Sequence, residues 1–142
     1  MLKVEVDMTG INDQLMALTA SVKNSMRPAA KAAAQVFYDE VRLRAPRSEK
    51  MHFTRGKKQS YAPGNLQKAI YQAYSDKRSV KGVVESYSVS WNKSKAFYGR
   101  FVEFGTSRMP AYSFLRSAYE AKKQEAIQVA NTVFEKNMGE SK

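Results

Sequence analysis

Apolar residues recur at steps of three and four from Ile11 through Leu15, Leu18, Val22, Met26, Ala29, Ala33 and Phe37 to Val41. One stripe sustained over that length requires a long amphipathic helix, and everything else must pack around it. Pro28 interrupts the pattern, because proline lacks the amide donor and crowds the preceding turn. Either the helix kinks there, or Ser25 caps a second helix with Pro28 in its first turn. The alanine-rich stretch Ala29 to Ala34 favours helix and permits close packing against a neighbour. Ala45-Pro46 should end the element, since a residue before proline is pushed out of helical geometry.

The flanking periods differ. Leu2, Val4, Val6 and Met8 alternate with Lys3, Glu5 and Asp7, which predicts a half-buried strand ended by Thr9 and Gly10. Leu66, Ile70 and Tyr74 allow helix or strand; a short turn at Gly64–Lys68 running into a strand through Tyr74 fits best, with a polar turn at Ser75–Ser79. Val83, Glu85, Tyr87, Val89 and Trp91 share one face of a further strand, closed by a turn at Asn92–Lys95. Phe97, Tyr98, Phe101, Val102 and Phe104 crowd apolar bulk at helical spacing and are expected in the core, with Gly105 stopping the element. Ser113 is positioned to cap a final helix through Leu115, Ala118, Ala126, Val129, Ala130, Val133 and Phe134, ending near Met138-Gly139.

The expected fold is therefore α+β. A small antiparallel sheet packs against a long N-terminal helix, kinked or broken near Pro28, and a long C-terminal helix. At 142 residues the whole chain, 1–142, is expected to be one domain. No apolar run approaches the roughly 20 residues needed to span a bilayer. The N-terminal segment has neither a basic stretch nor a continuous apolar run, so no secretory signal is expected and the chain should be made in the cytoplasm.

Between Arg47 and Pro63 the periodicity disappears. Arg47, Lys50, Arg55, Lys57 and Lys58 stand against Glu49 alone over residues 47–58, in a chain whose formal net charge is +11. This predicts a long basic loop that contacts DNA or an acidic protein neighbour. Phe53 and Tyr61 interleave with the cations and could stack on bases.

Catalytic chemistry finds few candidates. The chain has no cysteine and one histidine, His52. That excludes a thiolate nucleophile, a disulfide framework and a multi-histidine metal site. Asp39 and Glu40 are adjacent on a helix and point apart. Gly56-Lys57-Lys58 is not a P-loop, which would need glycine in place of Met51 and serine or threonine in place of Lys58. A hydrolase would have to be built on His52 and Glu103. No enzyme, cofactor or metal is expected.

One segment carries more specific information. Tyr98, then Phe101-Val102-Glu103-Phe104-Gly105-Thr106, then Pro110, Phe114-Leu115 and Ala118, follow a recognisable order. They resemble the signature of the neck or tail-completion (head–tail joining) proteins of long-tailed phages. That family is named after a protein of phage HK ninety-seven, and the minor tail protein Z of phage lambda is similar to it. Ala45-Pro46 and Gly64-Asn65-Leu66 resemble two further landmarks of the family. Two departures stand out: Ala111-Tyr112-Ser113 separate Pro110 from Phe114, and the 47–63 loop is longer than is usual in relatives.

The resemblance implies a virion structural protein of the head–tail junction, present in host cytoplasm during assembly. It would form a ring, expected to be six-fold, beside head-closure and tail-tube or tail-terminator proteins. DNA would pass through its channel, and no membrane would be involved. Tyr98, Phe101, Glu103, Phe104, Gly105, Thr106, Phe114 and Leu115 become candidates for a subunit interface or a structural motif. Gly105-Thr106 reads equally as a simple helix stop or as a tied turn at a subunit contact. The alternative is a small basic nucleic-acid-binding protein that uses the 47–58 loop.

Overall fold

A computed structural model describes residues 9–53, 59–81 and 83–140. The strand expected over Leu2–Met8 lies outside those residues. Helix α1 spans Thr9–Arg44 with Pro28 inside it. A second helix capped by Ser25 is excluded. Ser25 is fully buried, and its hydroxyl donates back to the Ser21 carbonyl at 2.7 Å within the same helix. The expected stop is observed, with Ala45 making the last helical hydrogen bond, to Val41, immediately before Pro46.

An interior proline costs a helix about 3 kcal/mol, so tertiary packing must hold α1 together. Its main partner is α4, Phe114–Glu140. Phe37 of α1 stacks on Tyr119 of α4 with ring centroids 5.4 Å apart. Along the apolar stripe, Ala29 and Val41 are buried, with Ala34 buried beside it, whereas Leu15 and Leu18 near the start of α1 remain exposed.

Between the long helices the chain forms two small antiparallel pairings. Strands β1 (His52–Phe53) and β2 (Ser60–Tyr61) pair His52 with Tyr61 and Phe53 with Ser60. The segment expected as an unstructured loop is thus partly a hairpin, with strands too short to show a period in sequence. Helix α2 (Asn65–Ala69) runs directly into β3 (Ile70–Tyr74), as expected. Strand β3 pairs with β4 (Tyr87–Trp91), from Ile70 opposite Trp91 to Tyr74 opposite Tyr87. Strand β4 starts later than its alternating pattern suggested. Val80 and Val84 form an isolated bridge inside the connecting turn, which leaves Val83 and Val84 exposed.

Helix α3 (Gly99–Phe104) precedes α4. The core joins Val41 and Ala45 of α1, Leu66, Ala69 and Ile70 of α2–β3, Ala96, and Phe114 and Ala118 of α4. Trp91 leans on this cluster with its ring 5.9 Å from that of Phe114. Two long helices and small antiparallel pairings make the fold α+β.

The aromatic run 97–104 corrects the sequence expectation. Tyr98 and Val102, one turn apart, pack on the core. Phe97, Phe101 and Phe104 are 49%, 46% and 72% exposed. A short helix buries one face only, and here the inward positions go to Tyr98, Val102 and Glu103.

Candidate functional site

The exposed aromatics border a groove of about 620 Å³. Four stretches line it: Pro46 and Arg47 after α1, Phe53 and Tyr61 of the β1–β2 pair, Gly64-Asn65-Leu66 at the start of α2, and residues between Phe97 and Met109 around α3. The shape of three of them has a local reason. The α1 terminus is held by the Gln67 amide, which donates to the carbonyls of Arg42 and Ala45 at 3.2 Å each and so satisfies groups that a helix end leaves orphaned. Gly64 takes φ 76°, the left-handed conformation that glycine adopts without steric cost. Asn65 fastens α2 to the α3 entry by donating to the Lys95 carbonyl at 2.7 Å and the Tyr98 hydroxyl at 3.2 Å.

The groove wall is aromatic. Tyr61 of β2 meets Tyr98 edge-on at 5.3 Å and Phe97 at 6.0 Å, and Phe97 contacts Phe101 at 6.3 Å. Such tilted and edge-on arrangements suit the ring quadrupoles. Phe53 and Met109 add apolar surface, and Arg47 is the only basic side chain among the described lining residues. The chemistry on offer is apolar docking.

Beneath the groove, Glu103 closes α4. Its carboxylate is 6% exposed and accepts from the backbone N–H groups of Leu115 and Arg116. Ser113, expected as the cap, instead donates its hydroxyl to the Glu103 carbonyl at 3.1 Å. Glu103 reaches the helix from outside it because α3 and the 106–113 connection fold back onto the α4 start, where Tyr112 N–H donates to the Val102 carbonyl at 2.7 Å. Gly105 takes φ 75° and ψ 176° to begin that reversal. Thr106 then ties the turn by accepting from the N–H groups of Arg108 and Met109 at 3.3 and 3.1 Å. Gly105 thus stops α3, its N–H donating to the Phe101 carbonyl, and the following turn is also tied by Thr106, so both local readings of Gly105-Thr106 describe the geometry.

Of the candidate residues, Arg47, Tyr98, Phe101 and Thr106 line the groove. Glu103, Gly105, Phe114 and Leu115 build the support beneath it, with Phe114 fully buried. Phe104 does not line the groove and is widely exposed. Lys50 is exposed in a local turn where Ser48 Oγ donates to its carbonyl. Arg55, Lys57 and Lys58 lie outside the described residues. Asn65 entered the sequence reading only as the middle of the Gly64-Asn65-Leu66 landmark; its role was missed, because its two hydrogen bonds join distant segments and leave no local pattern. Among the described residues no group of three or more His, Asp or Glu could hold a metal ion, and no helix is long and apolar enough to cross a membrane.

Residues 10–105 match the model of the family described as "Bacteriophage HK97-gp10, putative tail-component". The chain belongs to this family. The match takes in α1, both hairpin pairings, α2 and α3, and it ends at Gly105. Thr106, Phe114 and Leu115 lie beyond it. No curated protein and no solved structure matches the chain. The HK97-gp10 family is one of phage tail components, so the chain has a structural role in the phage tail, as the sequence resemblance suggested.

Proposed function

We propose that the protein is a non-catalytic component of the head–tail junction, forming a ring that joins or completes the tail. The observation that carries this reading is the convergence of three family landmarks, Ala45-Pro46, Gly64-Asn65-Leu66 and Tyr98–Thr106, on one open aromatic groove. A catalytic site needs enclosed, convergent polar groups, whereas this surface offers exposed rings on a well-tied scaffold.

A closed ring needs a heterologous contact, in which one patch of a subunit meets a different patch of the next. Among the exposed apolar groups of the described residues, two patches suit such a contact: the groove rim with Phe53, Phe97 and Phe101, and the start of α1 with Leu15, Met16 and Leu18. In the proposed ring, six-fold in its expected form, these two meet between neighbouring copies. Phe104 and the outer faces contact head-closure and tail-tube or tail-terminator proteins.

The test is cryo-EM of the neck in intact virions. Density for this chain between head and tail tube is expected, and it would also give the copy number. Absence from purified virions would overturn the reading. A paired test is Phe101→Glu, which should leave the monomer folded and abolish ring formation.

A further inference from the structure

A second depression, of about 1050 Å³, lies where the middle of α1 meets the turn between β3 and β4. Its α1 wall presents Lys23, Arg27 and Lys31 at steps of four residues. Four residues rise about 6 Å along a helix, so the three charges form a row about 12 Å long on one side. The facing turn adds Lys81.

Along α1 itself this row has no compensating carboxylate. From Gln14 to Tyr38 helix α1 contains no aspartate or glutamate. Elsewhere on the long helices three cations find a carboxylate within a turn: Arg44 with Glu40, Arg116 with Glu120 and Lys122 with Glu125. Lys23, Lys31 and Lys81 are exposed and enter no ion pair among the described residues. Like charges one turn apart weaken a helix that already carries an interior proline. The row thus works against the local fold and calls for a partner.

Arg27 is the ordered member. Its guanidinium lies over the Tyr74 ring at 4.1 Å, and Nε donates to the Tyr87 hydroxyl at 3.5 Å. The two terminal nitrogens have no partner among the described residues, which leaves a planar fork suited to phosphate oxygens. Two carboxylates of the facing turn, Asp76 and Glu85, share the depression with the four cations, which leaves it net positive; Glu85 accepts from the Tyr74 hydroxyl at 2.7 Å.

We propose that this groove holds the phosphate backbone of duplex DNA, with Arg27 as the anchoring fork and Lys23, Lys31 and Lys81 as flanking point charges. A single phosphate would engage Arg27 alone, whereas a row of cations matches a polymer that repeats its charge. Contacts of this kind position DNA without reading its sequence. The inference is independent of the ring reading, since DNA binding in solution needs no assembled junction.

The experiment is fluorescence anisotropy of the full chain on a labelled 30-base-pair duplex across a salt series. With three or four phosphates neutralised, log K should fall with log salt at a slope of about −3 to −4. The double variant Lys23→Glu with Lys31→Glu should weaken binding at least tenfold at low salt and flatten the slope by about two. Both side chains are exposed, and an unchanged melting temperature would show that the fold is kept. Arg27→Lys retains the charge and loses the fork, so it should weaken binding several-fold with the slope nearly unchanged. Binding unaffected by the double variant overturns the proposal, as does loss of binding only in Lys57→Glu with Lys58→Glu. Equal competition by poly-glutamate at matched charge would overturn it in favour of an acidic protein partner.

Discussion

The Glu103 carboxylate caps a helix to which it does not belong: Oε2 accepts from Leu115 N–H at 2.9 Å and Oε1 from Arg116 N–H at 3.1 Å. Both donors are at the start of α4, where amide groups lack intrahelical partners and the helix dipole favours negative charge. A carboxylate this buried is stabilised only by such bonds. Glu103→Ala should cost about 2–3 kcal/mol, because it also strands two amide donors away from water. Ser113→Ala, which removes one bond to the Glu103 carbonyl, should cost about 1 kcal/mol or less. Urea midpoints of the two variants check the ranking. The reverse order would return the cap to Ser113.

Gly105 stands where α3 turns back towards α4, at φ 75° and ψ 176°, a region essentially restricted to glycine. An added Cβ would lie 2.7 Å from the Ala111 backbone nitrogen and 3.0 Å from the Met109 carbonyl oxygen. Backbone atoms cannot rotate away, so Gly105→Ala should cost at least the roughly 1–3 kcal/mol of such strain. Gly139→Ala is the control. It is helical with nothing within 4 Å of the added methyl, and should be neutral or stabilising by a few tenths of a kcal/mol. Thermal melts of the two variants separate these outcomes, and equal melting temperatures would contradict the strain argument.

Gly99 is constrained by packing. An added Cβ would lie 2.6 Å from Trp91 Nε1 and 2.8 Å from Cδ1, and that indole already leans on Phe114 in the core. Gly99→Ala must therefore displace the chain's single tryptophan, and overpacking of this sort typically costs about 1–3 kcal/mol. The displacement is readable directly, as a shift of the Trp91 emission maximum in the folded state. An unmoved spectrum with unchanged stability would show that the ring yields freely.

These three positions also show what one sequence can and cannot disclose. The stripe from Ile11 to Val41 and the Ala45-Pro46 stop were legible because a helix repeats its environment every turn. Strand β4 was legible for the same reason at period two, though Val83 and Val84 show that alternation can persist into a turn; around β3 the pattern allowed helix as well as strand, and the pairing of the two was not legible. The exposure of Phe97, Phe101 and Phe104 was not legible. Six residues of helix supply too few repeats to reveal which face is buried. Likewise Glu103 and Leu115 are separated by a reversal, and no local pattern marks a cap that arrives from another helix. The groove required four chain segments to meet, and only the family landmarks hinted that three of them belong together. Lys23, Arg27 and Lys31 escaped the sequence reading too, because even spacing along a helix does not say which turn of the chain faces it.

Alkaline pH gives a test of the ring pair that positions Arg27. The Tyr74 hydroxyl donates to Glu85 at 2.7 Å, and that bond, chiefly, raises its pKa above the ordinary value of 10.0. Above pH 10 Tyr74 ionises in the unfolded chain while the folded chain still holds the proton. The folded state then binds more protons, so stability falls as pH rises. The contribution is complete below about pH 10 and is lost as pH climbs through the raised folded value. Melting temperatures measured from pH 8 to 11 should fall more steeply for the wild type than for Tyr74→Phe, which has no proton to lose. Glu85→Gln should bring Tyr74 ionisation back towards 10, visible as earlier phenolate absorbance in the ultraviolet titration. Parallel pH profiles for wild type and Tyr74→Phe would mean that Glu85 does not hold the hydroxyl, and Arg27 would lose the ordered ring beneath it.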